Sequence, residues 1–272
     1  MNRHVLIPIL TALTAALITQ IGHEATHALA MLTVGSGVEV LQLFAVKGAP
    51  VADTTAQALI SGSAAIINIL VGLVAVALFH QPATQRHPLA RLFTLYLAAY
   101  MLMTGFGYFL IDALFYAPDA PFFPDWQYVI HLAGGSWAVR LPLLIIGVVG
   151  LLGVFFWLPN AALRFVTTPT DKATRTREML RLTLIPYVAV NIAFTLLSFS
   201  HPLGLEGVVL SVFQYWFGYI ALFWAFFIGG LWTEVKTPYR DGSTLPAGAG
   251  WLIGLGAVWA VLALVLLPGL AL

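Results

Sequence analysis

The sequence predicts an all-α polytopic membrane protein with about seven transmembrane helices. Three observations carry this. Of the 272 residues, 60% are apolar and only 8% charged, with a mean hydropathy of +0.93, whereas soluble domains carry about 25% charged residues. The apolar residues fall into seven runs of about 20 residues or more, the length a helix needs to cross about 30 Å of hydrocarbon. The lysines and arginines are segregated between alternate connections. The absence of cysteine excludes disulfides, thiolate metal ligands and a cysteine nucleophile. A net charge of +1 supplies no field for nucleic acid, and none is expected as a partner; the lipid bilayer is.

The spans are expected at about 5–33, 56–79, 89–116, 138–158, 180–199, 207–232 and 248–271. The first has no proline after Pro8, so one continuous helix is expected. Arg3 and the small-x-small triplet Ala28-Leu29-Ala30 resemble a signal peptide. The apolar run is too long for one, so a retained first helix is expected. Residues 35–55 hold Gly35, Gly37, Gly48 and Pro50, and residues 38–43 partly alternate. A short irregular or hairpin segment at the membrane face is expected there. Irregular backbone at that depth must line a cavity or be covered by protein. Pro121 and Pro124 bar helix before Trp126, and Phe122 and Phe123 suggest a dip into lipid. Residues 167–181 read as a polar, basic loop. Pro186 is expected to kink the fifth span. The aromatic cluster of the sixth, including Phe213, Tyr215, Phe217 and Tyr219, reads as lipid-facing and interfacial packing. The chain divides into a three-helix core at 1–137 and four additional spans at 138–272.

Basic residues fix the expected orientation. With a cytoplasmic N-terminus the inside holds Arg3, Arg86, Arg91, Arg164, Lys172, Arg175, Arg177, Arg181, Lys236 and Arg240, and the outside holds Lys47 and Arg140. The expectation is an integral protein of a bacterial inner (plasma) membrane, N-terminus in and C-terminus out. Asp112, Asp119, Asp125, His131, His201 and Glu206 then gather at the outer side, with the motif described next.

His23-Glu24-Ala25-Thr26-His27 is an HExxH sequence inside the first span. Histidines four residues apart share one helix face, about 6 Å apart along the axis. Both imidazoles can bind one Zn²⁺, with Glu24 beside the metal as general base. Ionisable groups in hydrocarbon are costly and by default mark function. A polar patch joining helices, or a haem-ligating pair, is the bland alternative. A catalytic zinc takes a third protein ligand. Asp125, at the start of a helix and able to act as its cap, is preferred. Asp112, alone in the apolar run 108–114, is the alternative; if not a ligand it is expected to orient His23 or His27. His131 and His201 read as loop surface, with assistance to an oxyanion as the rival. His4, His80 and His87 sit at the basic boundary and are assigned nothing.

At these residues the chain resembles the site-2 protease family of intramembrane zinc metalloproteases. Gly22-His23-Glu24-Ala25-Thr26-His27-Ala28 matches that family's first motif. Ser61-Gly62-Ser63 with Asn68 is similar to the second, and Thr104, Gly107 and Ile111-Asp112-Ala113 keep the spacing of the third. Gly107-Tyr108 and Pro124-Asp125-Trp126 resemble a bacterial branch with a Gly-Tyr pair followed by Gly-Asp-Trp. The resemblance covers about residues 15–130. It implies a zinc-dependent endopeptidase that cuts peptide bonds in or near transmembrane segments of other membrane proteins, with Zn²⁺ on His23, His27 and an Asp. Asn68 would hold the unwound substrate. The rival expectations are a zinc hydrolase of a lipid or small amphiphile with the same ligands, and a non-proteolytic transporter or haem-binding protein.

Overall fold

A computed structural model describes residues 3–119, 125–234, 249–266 and 269–271. The expected dip at 121–124, and Lys236 and Arg240 of the inner charge count, lie outside these residues, as do the side chains of Arg3 and His4. The chain is mostly helical. Its helices are α1 (Arg3–Thr33), α2 (Thr54–His80), α3 (Pro82–Gln85), α4 (Pro88–Leu114), α5 (Asp125–Leu132), α6 (Trp137–Ala162), α7 (Lys172–Met179), α8 (Ile185–Ser198), α9 (Gly204–Gly218), α10 (Ile220–Ala225) and α11 (Ala249–Leu266). Three strands, β1 (Val38–Leu41), β2 (Val46–Gly48) and β3 (Leu270–Ala271), form a small sheet.

Six helical runs are long and apolar enough to cross a membrane: Val5–Thr33, Thr54–His80, Pro88–Leu114, Trp137–Phe165, Lys172–Ser198 and Gly204–Trp232. Helix α11 is a seventh, shorter apolar helix of 18 residues, about 27 Å long. β1 pairs antiparallel with β2 as the expected hairpin, and β3 adds to the other edge of β1 through Val40↔Ala271 and Leu41↔Leu270. Strands following α1 and α11 therefore meet at one face.

Helices α1 and α4 are the most enclosed spans, while α2 and α6 expose rows of Ile, Leu and Val such as Ile66, Leu70, Leu73, Ile145, Val149 and Leu152. The polar residues of α1 are satisfied locally: Thr11, Thr14, Thr19 and Thr26 donate to carbonyls four residues earlier. Glycines permit close crossings. A Cβ at Gly105 of α4 would lie 2.7 Å from the Ala65 carbonyl oxygen of α2. One at Gly147 of α6 would lie 2.7 Å from the Leu110 nitrogen of α4.

Three expectations are corrected. The basic stretch at 167–181 is helical from Lys172 onward, because the Asp171 carboxylate accepts from the Thr174 N–H at 3.0 Å and caps α7. The fifth span therefore starts earlier than its hydropathy suggests. Around Pro186 the helix relaxes into a π turn at Leu180–Leu184. Pro186 has no N–H for the Leu182 carbonyl, and the Tyr96 hydroxyl donates to that oxygen instead at 2.7 Å. The aromatic cluster of the sixth span is divided. Phe213 and Phe217 face outward, whereas Tyr215 and Tyr219 are fully buried, because their hydroxyls have partners in the interior.

Candidate metal centre

His23 and His27 stand one turn apart on α1 and share one face. Their Nε2 atoms lie 3.2 Å apart. Asp125, the first residue of α5, reaches between them, with Oδ2 3.0 Å from His23 Nε2 and Oδ1 3.2 Å from His27 Nε2. These three side chains offer ligand atoms that all lie within 4.8 Å of one another and form a group able to hold a metal ion. Asp125 has φ +31°, a region costly for a residue with a Cβ. Burial favours its neutral form, but His27 and His23, when protonated, outweigh this and hold its carboxyl below the usual carboxylate range.

Each ligand is oriented by a neighbouring element. His27 Nδ1 lies 2.7 Å from the Ile60 carbonyl of α2. A carbonyl only accepts, so Nδ1 carries the proton and Nε2 is bare on the neutral ring. His23 Nδ1 faces the Asn68 amide of α2 at 3.1 Å, with Nδ2 toward the ring. In that state Nδ1 accepts and the Nε2 proton goes to Asp125. A half-turn of the amide brings Oδ1 to the same place, where it accepts from Nδ1–H and leaves Nε2 bare. Asn68 thus serves both a hydrogen-bonded and a metal-ligating His23. Tyr108 of α4 stacks on His23 with ring centroids 4.8 Å apart at 13°, and Gln214 of α9 donates to the Tyr108 hydroxyl at 3.3 Å.

Glu24 lies beside the pair and outside the ligand group. Its Oε1 accepts from Gln20 Nε2 at 3.0 Å, and Gln20 Oε1 accepts from the Tyr215 hydroxyl at 2.9 Å. One carboxylate oxygen is thereby fixed. The site opens on a cavity of about 610 Å³ lined by His23, Glu24, His27, Asp125, Tyr108 and His201 among others.

The candidate residues are thereby sorted. Asp112 is buried behind Asp125, where its Oδ2 accepts from the Trp126 N–H at 3.0 Å and its carboxylate also accepts from Gln127. It caps α5, the task expected of Asp125, and touches neither histidine, contrary to its expected orienting role. Geometry explains the exchange: at the first position of α5 the Asp125 side chain points toward α1, while Asp112 meets the helix's unsatisfied amides. Asn68 is buried against His23 and does not line the cavity, so its contact is to a ligand rather than to substrate space. His201 lines the cavity instead of forming loop surface. His131 pairs with the Tyr116 hydroxyl at 3.2 Å, and neither it nor the exposed Asp119 and Glu206 lines the cavity. Tyr108 enters the sequence reading only as half of the Gly107-Tyr108 pair, with no role assigned, and Gln20, Gln214 and Tyr215 are given no place in the site. Gln20 carried a signal, since it stands four residues before Glu24 on the same face. Gln214 and Tyr215 come from α9, and nothing in their local sequence points to α1. Residues 201–219 share this cavity with the first three spans, so the expected division at 137 does not isolate the site.

Comparison with known proteins yields no matching family model, no matching curated protein and no matching solved structure. The site's own geometry carries the functional argument.

Because Asp112 acts through α5, its removal should loosen Asp125 without deleting a ligand. Zinc titration in one detergent should show Asp112→Ala weakening affinity on the order of 10-fold. Asp112→Asn, which keeps an acceptor oxygen, should retain most of it, and Asp125→Asn should lose more than either. If Asp112→Asn empties the site while Asp125→Asn leaves it full, Asp112 is the ligand.

Proposed function

We propose that this chain is an intramembrane zinc metalloprotease of the site-2 protease type, cutting peptide bonds in or near the transmembrane segment of another membrane protein. The observation that carries the reading is the convergence of His23, His27 and Asp125 beside Glu24, within helices long and apolar enough to span a membrane. The donor chemistry fits zinc, since two imidazoles and a carboxylate are a usual catalytic set. The spacing fits as well. A tetrahedron with bonds of 2.0–2.1 Å has edges of about 3.3 Å, close to the 3.2 Å between the two histidine Nε2 atoms, and one oxygen of Asp125 lies 3.0 Å from His23 Nε2 while its other oxygen lies 3.2 Å from His27 Nε2.

Bound there, zinc would supply Lewis acidity to a water and to a peptide carbonyl. The chain's residues do the rest. His27 is held in the ligating tautomer by Ile60, and His23 is allowed it by Asn68. Glu24 Oε2 accepts the proton of the attacking water and returns it to the leaving amine, while Gln20 and Tyr215 keep the carboxylate from swinging away. A substrate helix uses its carbonyls internally, so it must unwind before one can be attacked.

We place the protein in a bacterial inner membrane, N-terminus inside and C-terminus outside. Ten basic residues against two support this orientation; the pairing of the strands that follow α1 and α11 supports only that the two termini lie on opposite sides. It puts the metal centre toward the outer side.

Purified protein should hold about one zinc per chain, and His23→Ala or His27→Ala should lose it by elemental analysis. Glu24→Gln should keep the metal and lower peptide turnover by at least about 10²-fold. A folded wild type without zinc, or near-normal turnover in Glu24→Gln, contradicts the proposal. For the orientation, a reporter fused to the C-terminus should be active only when it requires the outer compartment; activity only in the cytoplasm reverses the assignment.

A further inference from the structure

His201 lies in the turn between α8 and α9 and is, among the described residues, the one histidine off α1 that lines the cavity. Its ring is fixed from three sides. Nδ1 accepts from the Leu203 N–H at 3.1 Å, so Nδ1 carries no proton and the neutral ring's proton resides on Nε2. The ring stacks on Phe44, in the connection between β1 and β2, with centroids 5.5 Å apart at 27°. Gly207 on the first turn of α9 lies against it, and a Cβ at that position would overlap the ring. Burial also lowers the histidine's pKa, which keeps the imidazole neutral at physiological pH. These constraints leave one polar group on the ring, an uncharged Nε2–H in a cavity shared with Glu24 and Asp125.

An uncharged donor suits an uncharged acceptor. A peptide segment that has unwound supplies such acceptors, because its main-chain carbonyls have lost their helical partners and sit where water is scarce. We propose that His201 is a substrate-contacting residue whose Nε2–H donates to a main-chain carbonyl of a peptide bound in the cavity. The proposal rests on the protease reading of the metal centre and adds to it a residue from the turn before the sixth span.

The test uses the full chain, zinc-loaded in detergent, and a synthetic single-span peptide with a central Gly-Pro pair and a fluorophore–quencher couple. His201→Phe keeps a flat ring on Phe44 and removes the donor. Its kcat/KM should fall about tenfold, the scale of one hydrogen bond, with zinc content unchanged. Binding of the same peptide to Glu24→Gln protein, read by fluorescence anisotropy, should weaken to a similar degree when His201→Phe is added. His201→Gln, which retains an N–H, should recover part of both. Gly207→Ala, which evicts the ring and leaves the histidine in the chain, should reproduce the loss. Wild-type turnover and binding in His201→Phe overturn the proposal, as does a loss matched by loss of zinc. If wild type binds the peptide in a His201-dependent way but cuts nothing, the protease reading falls and the role of His201 stands. If wild type neither binds nor cuts, both fall.

Discussion

Two imidazoles and two carboxylates inside a membrane-spanning bundle are costly unless each charge and each N–H has a partner. The rest of the site follows from that requirement. Helix α1 delivers His23, Glu24 and His27 on adjacent faces but satisfies none of them alone. Partners come from Ile60 and Asn68 on α2, Tyr108 on α4, Asp125 on α5, and Tyr215 on α9 by way of Gln20. The centre is therefore a junction of five elements distant in sequence, and their packing and its chemistry are not separable.

Helix α4 illustrates how a membrane helix can carry polarity along one line. Tyr96, Tyr100, Thr104, Tyr108 and Asp112 recur every four residues and follow one line that winds slowly around the helix. Tyr96 fills the carbonyl that Pro186 leaves open, Tyr100 and Thr104 both meet Tyr219, one by its ring and the other at its hydroxyl, Tyr108 stacks on His23 and Asp112 caps α5. The outward faces of α2 and α6 are apolar through their middle turns by comparison. Glycines at 105 and 147 draw both helices close to α4, which sets the distances at which these polar contacts form.

The sequence made some of this legible and hid the rest for physical reasons. The spans were readable because hydrocarbon thickness imposes a length on each apolar run, and the hairpin because glycines and alternation interrupt a helix. The HExxH stretch announced its own geometry, since helical spacing alone sets His23 and His27 on one face. Asp112 and Asp125 could not be told apart by local pattern. Both are single carboxylates near the same boundary, and what distinguishes them is which meets the amide ends of α5 and which points at α1. The basic run after residue 167 looked like a loop because its charges conceal a capped helix. Tyr215 had no signal of its own and His201 only its place among the outer-side ionisable groups, because their meaning comes from helices that pack against α1 from the far end of the chain.

The central claim is that His23, His27 and Asp125 bind one zinc ion through two imidazole nitrogens and a carboxylate oxygen. X-ray absorption at the zinc edge on the purified, zinc-loaded protein tests it most directly. The account predicts a first shell of nitrogen and oxygen at about 2.0–2.1 Å, with outer-shell scattering from two imidazoles, and loss of this signal in His27→Ala protein. A shell without imidazole scattering, or one unchanged in that variant, would contradict it.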